Sequence, residues 1–396
     1  MSTDAGSVTP WWDSLDSPTG LYVHIPFCRH RCGYCNFTVL TDRDALRRRM
    51  IDAIRTEIRN AAIQYPAKLE TVYIGGGTPT QVDDEDLSRL FDVISDSFDL
   101  SPNVEWTMEV NPEDVTRERV DRWAATPVNR ISMGVQSFDD AKLRTLERFH
   151  RGDEAVAAVH RVAERFDNIS VDLIFAAPRE TIDVWRSDLS TVTELPIRHV
   201  SAYSLTYEKG TTFWSRRRRG TLMPVDDDVD ADLYAETRQR LPEAGLRQYE
   251  ISSFASRDRR SRHNLGYWCG RPWLAAGPAA TSFARGVRWS NHRSATTYLK
   301  RIESSGDPVA ERDALSAVDY GRERIAFGLR MIDGVDVQHA GLNDPRRIPP
   351  KVRRSMLSTA DRHAEHGWLA IDGHRWKLTD RGIELADAIA SDYLFA

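Results

Sequence analysis

The prediction of the fold depends first on the segment Cys28-Arg-His-Arg-Cys32-Gly-Tyr-Cys35. It holds three of the four cysteines of the chain within eight residues, shortly after an apolar run at residues 21–25. Three thiolates do not complete a zinc or iron–sulfur site that has four ligand positions. The fourth position is left to Cys269, to His24 or His30, or to a ligand from outside the chain. His30 is the awkward choice among these, because it lies between two thiols of the same loop.

Around this loop the chain repeats a pattern of a short β-branched or aromatic run, a loop and an amphipathic helix. The predicted strands are residues 21–25, 70–74, 105–110, 130–136, 169–175 and 199–206. The predicted helices are residues 43–64, 84–98, 115–125, 139–166 with a break at Gly152, and 181–195. Strands that alternate with helices pair in parallel through right-handed crossovers. Because six units fall short of the eight in a closed barrel, the sequence predicts an α/β fold with an open, partial (β/α)6 barrel.

The alternation of side chains along three of these strands predicts a polar interior. Each strand has one apolar face and one face of small or polar residues. The second kind of face carries Glu105, Thr107 and Glu109, then Ser132, Gly134 and Gln136, then Ser170, Asp172 and Ile174. A packed barrel fills its interior with bulky aliphatic side chains. The sequence therefore predicts a lumen that holds a polar ligand.

Beyond residue 207 the pattern changes, and we predict four parts in all. They are an N-terminal arm (1–20), the partial barrel (21–255), a segment that caps the barrel (256–313) and a C-terminal module (314–396). Four arginines at 216–219 are predicted to form a solvated loop rather than an anion or nucleic-acid site, and residues 248–254 are predicted to form one strand. In the C-terminal module, helices at 318–331 and 351–366, a hairpin at 368–378 and a last helix from Asp380 predict a winged-helix-like α+β shape.

The composition excludes several classes of protein. Lys and Arg number 54 against 59 Asp and Glu, and the net charge of −5 gives no electrostatic basis for binding nucleic acid or an anionic membrane. Four cysteines exclude a disulfide scaffold, and the polar first 20 residues are not a secretory signal peptide. No apolar run approaches the ~18 residues that span a bilayer. We therefore expect a cytoplasmic protein whose clustered thiols are metal ligands or redox groups.

A second motif, Gly75-Gly-Gly-Thr-Pro79, ends the second predicted strand. Glycines let the backbone approach a ligand closely, and the motif is neither a dinucleotide fingerprint nor a Walker sequence. Together with the CX3CX2C spacing after the first strand, it resembles the radical S-adenosylmethionine (SAM) superfamily. The resemblance implies that Cys28, Cys32 and Cys35 bind a [4Fe-4S] cluster whose free iron binds S-adenosyl-L-methionine. A zinc-stabilised barrel without redox chemistry is the alternative.

Further segments are similar to the subgroup that contains oxygen-independent coproporphyrinogen III oxidase and the HemW-type heme chaperones. They are LYVHIPFC at 21–28, EVNP at 109–112, GVQSF at 134–138, DLIF at 172–175, SAYSLTYE at 201–208 and HNLGYW at 263–268. The oxidase pattern CX3CX2CXC requires a fourth cysteine where this chain has Phe37. The HNxxYW element marks the HemW type. The resemblance therefore implies a heme chaperone, with radical decarboxylation of coproporphyrinogen III as the alternative.

The resemblance also implies roles for individual residues. Those that contact SAM are Tyr22, Tyr34, Gly76, Gly77, Thr78, Glu109, Gln136, Arg148 and Asp172. His263 contacts heme in this interpretation, although HNxxYW aromatics that merely plug the open side of the barrel are the alternative. The implied partners are heme-accepting proteins, including transient contact with membrane-bound heme proteins. One departure from the family is Glu180, where the group commonly has Gln.

Overall fold

The computed structural model describes residues 17–41 and 44–396. Most of the predicted N-terminal arm (1–20), and the first residue of the helix predicted at 43–64, lie outside the described residues. Strands and helices alternate through the first half of the chain, as predicted. The strands are β1 (Gly20–Ile25), β2 (Lys68–Gly76), β3 (Asp99–Val110), β4 (Arg130–Gln136), β5 (Ile169–Phe175) and β6 (His199–Ser204). The helices are α1 (Asp44–Gln64), α2 (Asp84–Ser97), α3 (Arg117–Ala124), α4 (Asp140–Thr145), α5 (Gly152–Ala163) and α6 (Ile182–Glu194).

The second half of the chain adds shorter elements. After β6 come α7 (Thr212–Arg218), α8 (Asp227–Glu243), β7 (Arg247–Glu250), β8 (Ser253–Ala255), α9 (Arg262–Trp268), β9 (Trp273–Ala276), β10 (Thr281–Ala284), β11 (Val287–Asn291), α10 (Ala295–Ser305) and β12 (Val309–Ala314). The C-terminal module contains α11 (Ala317–Gly328), β13 (Val335–Asp336), α12 (Pro350–Glu365), β14 (Leu369–Asp372), β15 (Arg375–Leu378), α13 (Asp380–Ile383) and α14 (Ala386–Leu394). The predicted hairpin and the helices around it are confirmed.

The main sheet confirms the predicted partial barrel and extends it at both edges. From β1 to β6 the strands pair in parallel and in chain order. β9 pairs in parallel with the free side of β1, and β10, β11 and β12 continue from it as an antiparallel meander. At the other edge β8 pairs antiparallel with β6, and β7 with β8. The division into four parts stays a prediction.

Two hydrophobic cores hold these layers together. The larger core lies between the strands and the helices α1, α2, α5 and α6, and includes the fully buried side chains of Trp106 and Trp185. The second core lies in the C-terminal module around Trp376 and Tyr393. Within residues 17–41 and 44–396, no helix is both long enough and apolar enough to cross a bilayer.

The break predicted at Gly152 is confirmed, because α4 ends at Thr145 and α5 begins at Gly152. The position leaves no room for a side chain. A Cβ atom on Gly152 would lie 1.9 Å from the carbonyl oxygen of Phe138. The glycine therefore allows α5 to begin against the end of β4.

The single strand predicted at residues 248–254 is wrong, because the chain forms the antiparallel hairpin of β7 and β8 there. The turn residue Ile251 finds backbone partners that lie far away in sequence. Its N–H donates to the carbonyl of Arg330 (3.1 Å), and its carbonyl accepts from the hydroxyl of Tyr234 in α8 (2.8 Å). Because these partners come from other elements, the sequence of residues 248–254 alone does not predict the turn.

The arginines predicted to be solvated are indeed exposed at residues 217–219. The predicted loop is wrong, however, because most of residues 216–219 forms the last turn of α7. Thr211 caps the helix by accepting a hydrogen bond from the N–H of Trp214 (3.1 Å). The guanidinium of Arg218 lies 4.9 Å from the centroid of the Trp214 ring, at the four-residue spacing that brings side chains together on a helix. Cations are also favoured at the carbonyl end of a helix.

A buried carboxylate, Glu57, joins α1 to the strands at the edge of the sheet. It accepts hydrogen bonds from the N–H of Gly277 (2.8 Å), the amide of Asn291 (2.6 Å) and the hydroxyl of Tyr298 (2.6 Å). Burial nevertheless raises the pKa of Glu57 from 4.5 to about 7. The network fixes the turn between β9 and β10 beside β1.

A second buried network surrounds Glu180, the position where the related family commonly has Gln. Glu180 accepts a hydrogen bond from the ammonium of Lys142, which also donates to Asp188 (3.0 Å). Glu180 further accepts from the N–H of Ala177 (2.9 Å), so it holds the loop after β5. A glutamine there would leave Lys142 with one carboxylate instead of two.

Candidate functional site

A cavity of about 700 Å³ opens at the carboxyl ends of β1 to β6. The carboxyl ends of parallel strands are where α/β barrels place their functional residues. Most of the predicted site residues line this cavity, namely Cys28, Cys32, Tyr34, Cys35, Gly76, Gly77, Thr78, Glu109, Gln136, Arg148 and Asp172. Ser132, Gly134 and Ile174 line it as well, so the polar lumen that the strand faces predict is present.

The cysteine loop is fixed to the barrel by its backbone. The N–H of Cys28 donates to the carbonyl of Leu40 (3.0 Å), and the N–H of Cys35 donates to the carbonyl of Cys32 (3.0 Å). The N–H of Gly33 donates to the carboxylate of Glu147 (2.8 Å), from the segment after α4. The three thiols therefore belong to a loop whose path is set by hydrogen bonds at several points.

The surroundings of the thiols combine burial with a cation. The Sγ of Cys28 lies 3.5 Å from the hydroxyl of Thr78, and an Nη of Arg148 lies 3.9 Å from the Sγ of Cys32. Burial raises the pKa of the Cys28 thiol to about 12 and also raises that of Cys35. A metal binds the thiolate form, so binding of iron here releases protons.

The donor set fits a multi-iron cluster. Within residues 17–41 and 44–396, no three His, Cys, Asp or Glu side chains are arranged around the position of a single metal ion. A [4Fe-4S] cluster does not need such convergence, because each thiolate binds a different iron. The Nε of Arg148 is buried without a hydrogen-bond partner among the described residues, so the site offers an unused cationic donor to an anionic group.

The other protein candidates for the fourth ligand differ in their placement. Cys269 does not line the cavity, and its Sγ lies 3.5 Å from the Sδ of Met331. Both ring nitrogens of His24 are in hydrogen bonds, one with the hydroxyl of Tyr22 (3.0 Å) and one with the carbonyl of Thr38 (2.8 Å). His30 lines the cavity. Cys269 and His24 are therefore engaged elsewhere.

Glu109 at the end of β3 is the most closely constrained carboxylate of the site. It accepts hydrogen bonds from the hydroxyl of Tyr73 (2.8 Å) and the N–H of Gly76 (2.9 Å). A Cβ atom on Gly75 would lie 2.7 Å from this carboxylate, so the glycine motif leaves the room that Glu109 occupies. Burial raises the pKa of Glu109 from 4.5 to about 7. An ammonium group of a ligand would be an effective partner for it.

The remaining polar residues of the cavity lie at the ends of β4 and β5. Gln136 has a φ of 68°, in the left-handed region that non-glycine residues rarely adopt. Arg148 donates to the side chain of Asn111 (2.7 Å) and to the carbonyl of Gly134 (2.9 Å). Asp172 accepts from the hydroxyl of Ser132 (3.1 Å), and burial raises its pKa. Strained backbone of this kind concentrates at functional sites.

Tyr22 and His263 do not line the cavity. The hydroxyl of Tyr22 lies 3.0 Å from His24, and its ring centroid lies 6.1 Å from that of Tyr73. The ring of His263 also lies against Tyr73, with centroids 5.1 Å apart. Both residues therefore lie next to Tyr73, which does line the cavity. Their roles toward SAM and heme stay predictions.

His263 is a buried residue with both ring nitrogens engaged. Its Nδ1 lies 2.9 Å from the hydroxyl of Thr71, and its Nε2 lies 2.8 Å from the hydroxyl of Tyr267. Its backbone N–H donates to the carboxylate of Glu105 (3.0 Å), which so holds the beginning of α9. Burial lowers the pKa of His263 to about 3. Ligation of iron by His263 would require it to give up one of these hydrogen bonds.

Several residues of the cavity were not predicted as site residues. Tyr73 lies two residues before the GGGTP motif, and Asn111 lies within EVNP. Their closeness to these motifs could have predicted that they belong to the site. Glu147 lines the cavity between α4 and α5 and holds the cysteine loop. No sequence motif distinguishes Glu147 from the other glutamates of the chain. Only the three-dimensional structure brings it to the site.

Comparison with known proteins decides the family. A model of the Radical SAM superfamily matches residues 22–190, and a model of the HemN C-terminal domain matches residues 315–385. The chain is 36% identical over 382 residues to heme chaperone HemW of Mycobacterium tuberculosis (strain CDC 1551 / Oshkosh), covering 95% of each chain. This chain belongs to the HemW family of the radical SAM superfamily. Heme chaperone HemW of Lactococcus lactis is 32% identical over 381 residues, covering 96% of this chain and 98% of that protein.

The fold of this HemW-family chain is shared with a solved structure. Coproporphyrinogen III oxidase (HemN) from Escherichia coli has a TM-score of 0.84, at 22% sequence identity, covering 96% of this chain and 90% of that chain. The likeness confirms the partial barrel and the appended C-terminal module. A radical SAM domain implies a [4Fe-4S] cluster and SAM, in agreement with the residues of the cavity.

Proposed function

We propose that this chain is a heme chaperone of the cytoplasm, which binds heme and passes it to acceptor proteins, membrane-bound heme proteins among them. Its relation to HemW proteins over nearly the whole chain carries the proposal. The cavity gives separate support to the proposal. Phe37 stands where the oxidase pattern has its fourth cysteine. The Phe37 side chain is 61% exposed and lines the cavity, where it supplies an apolar surface and no ligand.

Cys28, Cys32 and Cys35 would hold the [4Fe-4S] cluster, which supplies an electron and an open iron position when it is bound. Arg148 places its guanidinium beside Cys32 and lowers the cost of gathering negative charge there.

Glu109 and the glycine motif would hold SAM beside the cluster. The carboxylate of Glu109 would accept a hydrogen bond from the ammonium group of SAM, while Tyr73 and Gly76 fix the position of the carboxylate. Gly76 has a φ of 107°, and a Cβ atom there would lie 2.3 Å from the ring of His24. Only glycine therefore lets this backbone reach the cavity wall.

The proposal is tested with protein purified and reconstituted anaerobically. We expect cluster absorbance, bound iron and near-stoichiometric binding of hemin, measured with and without the intact cluster. Hemin-loaded protein should then transfer heme to a heme-free acceptor such as apomyoglobin. Hemin binding no tighter than that of an unrelated control protein would overturn the proposal.

Two cysteine variants provide a matched control for the cluster. Cys28→Ser removes a thiol that lines the cavity, so it should lower the iron content sharply. Cys269→Ser changes the thiol beside Met331, so it should leave the iron content unchanged. Zinc in place of iron in strictly anaerobic wild-type protein would support the zinc-stabilised barrel instead.

A further inference from the structure

The cavity carries an accessible histidine beside two exposed aromatic rings. His30 lines the cavity, and its imidazole is 41% exposed. Phe37 and Phe149 also line it and are 61% and 55% exposed, which is unusual for side chains of this size. The ring of Phe149 lies edge-on to His30, with centroids 5.4 Å apart. The cavity therefore exposes apolar surface around an imidazole.

The imidazole of His30 has a carboxylate near one ring nitrogen and an open second nitrogen. Its Nε2 lies 3.5 Å from the carboxylate of Glu147, and its Nδ1 has no hydrogen-bond partner among the described residues. A metal-ligating histidine typically has a carboxylate or carbonyl at its other nitrogen, which fixes the tautomer and the direction of the ring. Glu147 is itself held by the N–H of Gly33 (2.8 Å). One nitrogen of His30 is therefore supported, and the other is free to bind iron.

No other histidine in the described part of the chain lines this cavity. His263, the histidine of the HNxxYW element, is only 4% exposed and uses both ring nitrogens. His24, the other histidine near the cysteine loop, is also 4% exposed with both nitrogens engaged. Accessibility and hydrogen bonding thus distinguish His30 from the two neighbouring alternatives.

Cations near the same rings complement the two carboxylates of a heme. The guanidinium of Arg29 lies 5.2 Å from the centroid of the Phe149 ring. Arg293 donates to the carbonyl of Asn36, next to Phe37 (3.2 Å). Neither arginine has a carboxylate partner among the described residues. A planar apolar ring with anionic edges matches this combination of phenyl rings and guanidinium groups.

We propose that heme binds at this part of the cavity, with His30 as the axial ligand of its iron and with Phe37 and Phe149 packed on the porphyrin. The lone pair of the His30 Nδ1 replaces water or chloride on the ferric iron, and no electron is transferred in this step. The propionates pair with Arg29 and Arg293. This inference rests on the proposed heme-binding function and locates its site away from His263.

The test is a hemin titration of anaerobically reconstituted protein, followed by the Soret band and by iron analysis of the cluster. His30→Ala should weaken hemin binding about tenfold or more and should remove the spectrum of imidazole ligation. Added free imidazole should restore that spectrum. Phe149→Ala should weaken both hemin and iron-free protoporphyrin IX, whereas His30→Ala should leave protoporphyrin IX binding unchanged.

His366→Ala is the matched control, because His366 is an exposed histidine stacked on Trp368 in the C-terminal module. It should bind hemin as the wild type does. Wild-type hemin affinity and spectrum in both His30→Ala and Phe149→Ala would overturn the site while leaving the heme function standing. Failure of the wild-type protein to bind hemin would instead overturn the proposed function. Loss of cluster iron in His30→Ala would assign the residue to the cluster loop and contradict the proposal.

Discussion

Replacing Gly75 by alanine tests whether the glycine motif and Glu109 form one ligand site. The added Cβ atom would lie 2.7 Å from the carboxylate, whereas ordinary contacts of a Cβ atom begin at 3.4 Å. The carboxylate must therefore move by about 0.7 Å, the difference between these two distances. Alanine is otherwise tolerated at position 75, because the φ of this residue lies outside the left-handed region.

The size of the effect follows from the hydrogen bonds of Glu109. The carboxylate is held by the hydroxyl of Tyr73 at 2.8 Å and the N–H of Gly76 at 2.9 Å. A displacement of this size takes at least one of them beyond hydrogen-bond range. A hydrogen bond to a charged group contributes about 1.5–3 kcal/mol, which corresponds to roughly 10- to 150-fold in a dissociation constant. We expect the affinity for SAM to fall by this factor.

The assay is anaerobic calorimetry or equilibrium dialysis of SAM with reconstituted protein, with iron content measured on each sample. Gly266→Ala is the control, because a Cβ atom on this residue of α9 would have nothing within 4 Å. It should bind SAM normally and gain slightly in stability. Wild-type affinity for SAM in Gly75→Ala, with the cluster intact, would refute the assignment of Glu109 to the ligand.

Three further predictions concern buried polar groups. Tyr73→Phe removes one of the two hydrogen bonds to Glu109, so the affinity for SAM at pH 7 should fall by the same factor of roughly 10 to 150. The affinity should recover at higher pH, where Glu109 ionises, and a pH series of binding titrations measures this. Burial holds the pKa of Glu57 at about 7 against 4.5 ordinarily, so the free energy of unfolding falls by about 3 kcal/mol as pH rises through that window. Urea denaturation at several pH values measures this free energy, and Glu57→Gln should not show the fall. An equal dependence of the free energy of unfolding on pH in the variant and the wild type would contradict the prediction. Lys142→Met leaves two buried carboxylates without their cation and should lower the free energy of unfolding by about 3–5 kcal/mol. Lys300→Met, at an exposed lysine, should change it very little in the same denaturation experiment.

The first half of the fold follows from local patterns in the sequence. Period-two alternation in residues 130–136 and 169–175 gives the bounds of β4 and β5, because each strand is buried on one face and lines the cavity on the other. Gly152 marks the start of α5 for a steric reason, because a side chain there would collide with the carbonyl of Phe138. Elements whose stability depends on near neighbours in the chain were therefore predicted well.

Such local patterns do not predict the strands at the edges of the sheet. β9 pairs with β1, about 250 residues earlier in the chain, and its residues Trp273–Ala276 carry no strand signal of their own. β12 is exposed along nearly its whole length, so no alternation of apolar residues marks it. The hairpin of β7 and β8 likewise depends on Arg330 and Tyr234, which are remote in sequence. Long-range pairing, rather than propensity, creates these elements.

The residues of the site also divide into those that the local sequence predicts and those that only the folded structure reveals. The cysteine spacing and the glycine motif resemble those of the radical SAM superfamily, and the structure brings both segments to one cavity. The accessibility of a histidine is a property of the folded chain. HNxxYW is a conspicuous motif, yet its His263 is enclosed by Thr71, Tyr267 and Tyr73, whereas the inconspicuous His30 faces the cavity.

One paired measurement tests the central claim, that this radical SAM fold carries heme instead of decarboxylating a porphyrinogen. A single anaerobically reconstituted and reduced preparation with SAM is divided between a hemin titration and an incubation with coproporphyrinogen III. The account predicts near-stoichiometric hemin binding and no loss of carbon dioxide from the propionates of the porphyrinogen. Turnover of coproporphyrinogen III, together with hemin binding no tighter than that of an unrelated protein, would contradict it.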